Sequence, residues 1–361
     1  MVALHRREMI GDREFTTAGR IVGDGHPILV VAEVGANHDG DVGTAHEMID
    51  MVADCGADAV KFQTYTSGEL LSDSDRQISW GPPGREKHEQ IGALFDRVKL
   101  PREAHEELFD HATDRGIIPF STPFSEDGID FLATLTPAMV KIASSDLCHL
   151  DLLRHAARLE VPILMSTGKA TIAEVDVSVS AVRDAGCTDL ALLHCIASYP
   201  APHSALNLAV ITTLRQMYPD TVIGYSDHSV GTTAAIAAVV LGASIIEKHV
   251  TYDTQADGPD HWFSSGPGEL RSLVDAVREA EASIGTGRKS ITPEEVEERR
   301  VSTRSLVTAT SIAAGTPLRR EHIKVVRPGT GIHPFDLPKV LGLATNTYLP
   351  ENTALQWGHL G

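Results

Sequence analysis

The sequence predicts an α/β protein: a closed (β/α)8 barrel of the TIM type, followed by a small β-rich module. Three observations carry this reading. Up to about Lys248, eight short runs rich in β-branched and aliphatic residues alternate with longer amphipathic segments. Each run ends in residues capable of chemistry, as barrel strands do at their C-terminal ends. From about Val301 the pattern changes to short strands separated by turns.

The eight runs span residues 28–34, 58–63, 117–121, 139–143, 162–166, 190–194, 222–226 and 244–249. Between them lie helical segments such as 44–57, closed by Gly56, and 104–116, closed by Gly116 directly before a strand. Glycine is a common helix stop because it tolerates the left-handed backbone there. An open doubly wound sheet competes with the barrel, but no glycine-rich dinucleotide fingerprint follows the first run. The 361 residues suit a barrel of about 250 plus a small extra module. Residues 1–284 are assigned to the barrel with an N-terminal extension, 285–300 to an acidic linker and 301–361 to the β-rich module. That module is too small to bury much core by itself, so it is expected to dock onto something. Residues 64–97, long, polar and rich in Gly and Pro, interrupt the rhythm after the second run. Loops at that end of a barrel carry substrate contacts, so this one reads either as a lid or as surface decoration.

Composition narrows the function classes. Apolar residues make up 42% and charged residues 22%, as in a soluble globular protein. There are 31 basic against 49 acidic residues, a formal charge of −18, which excludes a nucleic-acid binder that relies on a basic surface. An anionic substrate stays compatible, because a local basic pocket can exist within an acidic protein. Residues 1–14 lack the apolar run of a secretory signal, and no stretch approaches the roughly 20 apolar residues of a membrane span. Cys55, Cys148, Cys187 and Cys195 form no CxxC pair and read as small buried thiols, which points to a reducing cytoplasm.

The run ends supply Glu33, Lys61 with Gln63, Ser121 with Thr122, Lys141 with Ser144, Ser166 with Thr167, His194, Ser226 with Asp227 and His228, and Glu247 with His249. Each alone has a bland explanation as a satisfied core polar group. So many at one end do not, because buried charges are costly unless paired or used. Residues two apart share a strand face, so Lys61 faces with Gln63, and Glu247 with His249, leaving Lys248 to the helix layer. His228 and His249 then hang from neighbouring strands about 4.8 Å apart and can hold a divalent metal with positions open to water and substrate. Lys61, Lys141 and the hydroxyls of Ser144, Ser166 and Thr167 suit a phosphate or carboxylate. Lys141 has a second reading as a Schiff-base amine.

At these residues the sequence resembles the sialic acid synthase family over nearly its whole length. The matching blocks are AlaGluValGlyAlaAsnHisAspGly (32–40), AlaAspAlaValLysPheGlnThr (57–64), SerThrProPhe (121–124), ValLysIleAlaSerSerAsp (140–146) and SerThrGly (166–168). They continue with LeuHisCys…TyrPro (193–200), GlyTyrSerAspHis (224–228), GluLysHisValThr (247–251), GlyProAspHis (258–261) and ArgProGlyThrGly (327–331). The C-terminal module resembles that family's antifreeze-like (SAF, β-clip) domain.

The resemblance implies condensation of phosphoenolpyruvate with an N-acetylated hexosamine and release of phosphate. It implies manganese or magnesium at His228 and His249, and phosphoenolpyruvate at Lys61, Lys141, Ser144, Ser166 and Ser226. Glu33, Gln63, Thr122, Tyr199, Asp260 and Arg327 would orient the sugar and attacking groups, with Glu247 beside them at the cavity. It further implies a homodimer in which Arg327 reaches the site of the other copy. The chain departs from the family pattern in three places: Ala197 where Asn or Ser is frequent, Trp262–Phe263 after the GlyProAspHis block, and Asp146 where some relatives carry Glu. They bear on which sugar is used, so legionaminic, pseudaminic and spore-coat nonulosonates are alternatives. A metal-dependent aldolase or hydrolase on the same barrel, and a carbohydrate-binding protein, are the competing classes.

Overall fold

The computed structural model describes residues 13–361; the expectation about the extreme N-terminus concerns residues that lie, for 1–12, outside those described. The chain divides into two compact units, Met1–Gly285 and Thr286–Gly361. In the first, eight parallel strands pair in sequential order and close on themselves. They are β1 (Leu29–Glu33), β2 (Ala59–Thr64), β3 (Ile118–Pro123), β4 (Val140–Ile142), β5 (Ile163–Ser166), β6 (Leu190–Cys195), β7 (Val222–Asp227) and β8 (Ile245–His249). All eight expected runs are strands, shifted by a residue or two at their ends.

Each strand is followed by a helix of the outer ring: α1 (Val42–Asp54), α2 (His105–Asp114), α3 (Glu126–Thr134), α4 (Leu150–Ala157), α5 (Ile172–Asp184), α6 (Ala209–Met217), α7 (Thr233–Val240) and α8 (Pro267–Ile284). Local chemistry sets their ends. Asp41 caps α1 by accepting from the Thr44 N–H at 2.6 Å, and Thr171 with Glu174 closes a reciprocal capping box on α5. Pro267 opens α8, where its missing N–H costs nothing.

Strand parity sorts the apolar residues into two layers. Val30, Ala32, Val60, Phe62, Ile142, Met165 and Tyr225 face the helices, while Leu29, Val31, Ala59, Phe120, Leu164, Leu193 and Ile245 fill the barrel. Gly224 belongs to the inner row, where a Cβ would lie 2.3 Å from Leu193 and 2.8 Å from Ile245; no larger residue fits. The N-terminal extension is a hairpin, Glu14–Thr17 with Arg20–Gly23, whose Phe15 and Val22 join the inner layer. That plug was not foreseen, because two four-residue strands carry too short an alternation to register in a sequence.

Residues 64–97 are not a bare loop. They hold a short helix (Ser67–Leu70), a hairpin (Gln77–Trp80 with Lys87–Gln90) and most of the helix Ile91–Val98, which buries Ile91, Leu94 and Val98. The second unit contains the exposed helix Glu295–Ser302 and one antiparallel pair, Ser305–Thr308 with Ile323–Val326. Isolated bridges such as Ile312 with Leu349 and Thr345 with Leu360 complete it. Its small core includes Leu306, Ile312, Leu318, Ile323, Val340 and Leu355. No helix among the described residues is long and apolar enough to cross a membrane. All four cysteines are free; three are buried, but Cys148 is exposed, on the segment leading to α4, against the expectation of buried thiols.

Candidate active site

The inner rows change from apolar to polar at the C-terminal end of the barrel. Leu29 and Val31 lead to Glu33, Ala59 to Lys61 and Gln63, Phe120 to Thr122, and Leu164 to Ser166. Val222 and Gly224 lead to Ser226, and Ile245 to Glu247 and His249. Together these side chains line a cavity of about 330 Å³. Every site residue expected from the barrel except Thr167 lines it, including Lys141, Ser144, Tyr199, His228 and Asp260. Arg327 belongs to the second unit, where it is exposed just after the strand Ile323–Val326.

Four strand-end positions do not join the cavity, and parity is the reason. Ser121 sits in the outer row and bonds Thr64, whose hydroxyl also meets His105. His194 is likewise outward, with Nε2 on the Leu206 carbonyl and its ring stacked on Tyr225. Thr167 donates to the Leu193 carbonyl at 3.2 Å, and Asp227 points to the helix layer, where it meets Lys248. The anion-site reading of Thr167 is therefore corrected. Lys248 faces outward as expected.

Inside, charges alternate. The Lys61 ammonium lies 2.5 Å from Glu33 and 3.9 Å from Glu247, and donates to the Thr122 hydroxyl at 3.1 Å. Lys141 reaches Glu247 at 3.2 Å, and Ser226 donates to the same oxygen at 2.8 Å. Gln63 donates to Glu33 at 3.0 Å. Burial works against every one of these charges, and the neighbours decide the outcome. It raises the Glu33 carboxyl despite Lys61. For Glu247 it is outweighed by Lys141 and Lys61, which hold the carboxyl well below its usual range. Lys61 is likewise desolvated, yet Glu247 and Glu33 pull it upward. Lys141 is pushed down by burial, with Lys61 adding to the effect. Asp260, from the segment after β8, is pushed up to about 7 by burial and by Glu33.

His228 and His249 face each other with ring centroids 5.4 Å apart. Burial lowers both imidazoles, so both are held neutral, as metal ligands must be. The His228 Nδ1–H donates to the Ile196 carbonyl at 2.8 Å, which leaves Nε2 unprotonated. His249 Nδ1 is buried without a hydrogen-bond partner, and lies 3.6 Å from Asp260. Orphaned nitrogen and neutral rings fit a divalent cation. No group of three or more His, Cys, Asp or Glu side chains among the described residues forms a complete ligand set, so the protein would contribute part of the coordination shell. The Ser166 hydroxyl is also buried and unpartnered. An unmade hydrogen bond of that kind is expensive, and an anionic oxygen in the cavity would satisfy it.

Of the lining residues that escaped the sequence reading, three change the character of the cavity. Phe95 comes from the 64–97 insertion and Phe124 follows β3; they add an apolar wall. Lys169 adds a third cation directly after the SerThrGly block, a position that invited the assignment. Tyr199 lies over His228 at 4.2 Å between centroids, and Phe263 packs on both Tyr199 and His249 at 5.7 and 5.5 Å.

A closed (β/α)8 barrel with buried paired charges and two neutral histidines at its mouth, joined to a small β module, defines the class. The chain belongs to the NeuB family, which matches residues 48–289, and a SAF domain matches residues 303–361. It is 36% identical to the spore coat polysaccharide biosynthesis protein SpsE of Bacillus subtilis, across 95% of this chain and 96% of that one. It is 34% identical to the N,N'-diacetyllegionaminic acid synthase of Legionella pneumophila, across 92% and 94%. The crystal structure of the N-acetylneuraminic acid (sialic acid) synthetase of Leptospira borgpetersenii superposes with a TM-score of 0.73 at 32% identity, covering 80% of this chain and 96% of that one.

Proposed function

We propose that this protein condenses phosphoenolpyruvate with the open-chain aldehyde of an N-acetylated amino sugar, giving a nonulosonic acid and phosphate. One observation carries the reading: Lys61 and Lys141, only 4% and 3% exposed, share the cavity with the unpartnered Ser166 hydroxyl. Burial leaves that hydroxyl with an unmade hydrogen bond, and the two ammoniums beside it, already paired with Glu33 and Glu247, supply the positive charge that an incoming phosphate or carboxylate needs.

In this mechanism Lys61, Lys141, Ser144, Ser166 and Ser226 hold the phosphate and carboxylate of phosphoenolpyruvate. Their existing partners Glu33 and Glu247 keep the ammoniums in place until the anion arrives. His228 and His249 would hold manganese or magnesium, which when bound polarises the aldehyde oxygen as a Lewis acid. Thr122, Tyr199 and Asp260 orient the sugar so that its aldehyde carbon faces the enol carbon. Carbon–carbon bond formation leaves positive charge at the former enol ether carbon, and water captures it. Glu33, fixed by Gln63 and Lys61, orients that water, takes its proton and passes it on to the alkoxide left at the former aldehyde oxygen. Collapse of the tetrahedral species breaks the C–O bond and expels phosphate.

The acceptor sugar is the finer part of the proposal. Ala197 presents a methyl group to the cavity, and Phe95 and Phe124 enlarge its apolar wall. These surfaces favour an acceptor richer in deoxy or acyl groups than N-acetylmannosamine, as a legionaminic or pseudaminic precursor would be. A Schiff-base aldolase is the second reading, because burial lowers Lys141, as an imine-forming amine requires. Its ion pair with Glu247 opposes that role. The test is incubation with phosphoenolpyruvate and a panel of amino sugars, with products identified by mass. Turnover without phosphoenolpyruvate, or borohydride trapping of substrate on Lys141, would replace the condensation with an aldolase. In the cell we place the reaction in the cytoplasm, where phosphoenolpyruvate is made.

A further inference from the structure

Two sequence blocks contain residues that this chemistry does not use: 37–40 after β1 and, apart from Asp260, 258–261 after β8. The structure ties them together. His261 is fully buried, with Nε2 3.2 Å from both carboxylate oxygens of Asp39 and Nδ1 2.6 Å from the Thr251 hydroxyl. A carboxylate only accepts, so Asp39 requires the hydrogen on Nε2. Tyr252 donates to the same carboxylate at 3.0 Å. Two residues earlier, the Asn37 amide donates to the Val250 carbonyl at 2.8 Å and to the Ser264 hydroxyl at 2.9 Å. Ser264 in turn donates to the Asp260 carbonyl at 2.6 Å. At Gly258 a Cβ would lie 2.5 Å from the His261 ring, so glycine there is what lets the ring approach.

His261 does not line the cavity, but the residue before it, Asp260, does, and Phe263 packs on His249. The segment 250–264 has almost no regular structure of its own, with a single 3-10 turn at His261–Phe263. Its conformation is therefore set by what it is bonded to, and its attachments include the exposed Lys87–Asp257 ion pair and, at the fully buried His261, the imidazole–carboxylate pair. We propose that His261, clamped by Asp39, is a positioning residue that fixes the Asp260 carboxylate at the sugar side of the cavity. This rests on the reading above that Asp260 orients the amino sugar. The pair spans neighbouring strands β1 and β8, which are in register from Leu29 with Ile245 to Glu33 with His249, so it locks one mouth loop to the next.

The test combines hydrogen exchange with kinetics on His261→Ala, Asp39→Ala, the double variant and His261→Gln. The Gln amide offers a donor to Asp39 near the Nε2 position. Exchange in peptides covering 250–264 should quicken by about tenfold in both alanine variants, while strands β3–β6 keep wild-type protection. With phosphoenolpyruvate and an accepted amino sugar, kcat should fall roughly 10–100-fold, as for partners that orient a functional ligand. The KM for the sugar should rise, and that for phosphoenolpyruvate should stay within about twofold. His261→Gln should recover most of the loss, and the double variant should lose no more than the worse single one, because both remove one interaction. Unchanged exchange in the alanine variants, additive losses, or an equal rise in both KM values would each overturn the clamp. A wild-type protein that releases no phosphate with any amino sugar would refute the proposed function instead, and the exchange measurement still decides the clamp.

Discussion

The Lys248 ammonium sits 2.8 Å from the Asp227 carboxylate, on the helix side of the two strands that carry His249 and Ser226 into the cavity. Both side chains are essentially inaccessible to water, and the remaining Asp227 oxygen receives Tyr225 and Ser229. Removing one member of such a pair strands the other charge in a low-dielectric interior. Lys248→Met should therefore cost about 3–5 kcal/mol of stability. Urea unfolding monitored by circular dichroism checks this; an unchanged midpoint would show that the pair contributes no net stability.

Metal dependence is the outcome expected from the neutral, partly unpartnered imidazoles. Thorough chelation should abolish phosphate release, and manganese or magnesium should restore it. His228→Ala and His249→Ala should each lose metal affinity in equilibrium dialysis while keeping the far-ultraviolet spectrum of the wild type. Full activity after complete metal depletion would remove the metal from the proposal.

The barrel and most of its mouth were legible in the sequence because both obey strand parity. Glu33, Lys61, Gln63, Glu247 and His249 sit at positions where an inner apolar row runs out, and a period of two makes that visible. The same rule, applied throughout, would have set aside His194, Ser121 and Asp227, each one residue out of phase with the inner row. Phe95 was not legible. It reaches the cavity from an insertion whose path depends on packing of Ile91, Leu94 and Val98, and no local pattern encodes that. The His261–Asp39 contact was hidden for a similar reason, since its members lie 222 residues apart.

At the opposite end of the barrel, pH offers a separate test. Asp24 is partly buried, which disfavours its charge, but Arg215 at 2.7 Å and Arg13 at 3.1 Å outweigh this and lower its pKa from 3.8. A carboxyl depressed in the folded state stabilises above its unfolded pKa and loses that contribution as pH falls through the folded one. Asp24→Asn should therefore be less stable than wild type at about pH 6, with the gap narrowing below about pH 4. A gap independent of pH would assign the effect to lost hydrogen bonds and not to charge.

Lys61→Ala and Lys141→Ala should weaken phosphoenolpyruvate more than sugar. Each removes a charge-assisted contact worth about 1.5–3 kcal/mol, or roughly 10–150-fold in apparent affinity. Glu247 distinguishes the two variants: without Lys141 its nearest remaining ammonium is Lys61, at 3.9 Å, and without Lys61 it keeps Lys141, at 3.2 Å. Unchanged phosphoenolpyruvate KM in both variants would count against the anion pocket.

The last prediction concerns Arg327, which we propose acts on the cavity of a second copy in a two-fold dimer. The module that carries it has a core of only a few aliphatic residues, so burial against another surface would add stability that the module lacks alone. Exchange of such an element between two copies closes a symmetric dimer at low cost. Arg327 is exposed within its own unit and no ion pair engages it among the described residues, so its guanidinium is free to receive a substrate oxygen. Capping within one chain is the rival arrangement. Mixing Arg327→Ala with His249→Ala separates the two, since each variant alone lacks one necessary group at every site. If the arginine acts in trans, a mixed dimer contains one cavity with both His249 and Arg327, and activity should return to about a quarter of wild type after random subunit exchange. A mixture shown by mass to exchange subunits, yet as inactive as its parents, would assign Arg327 to its own chain.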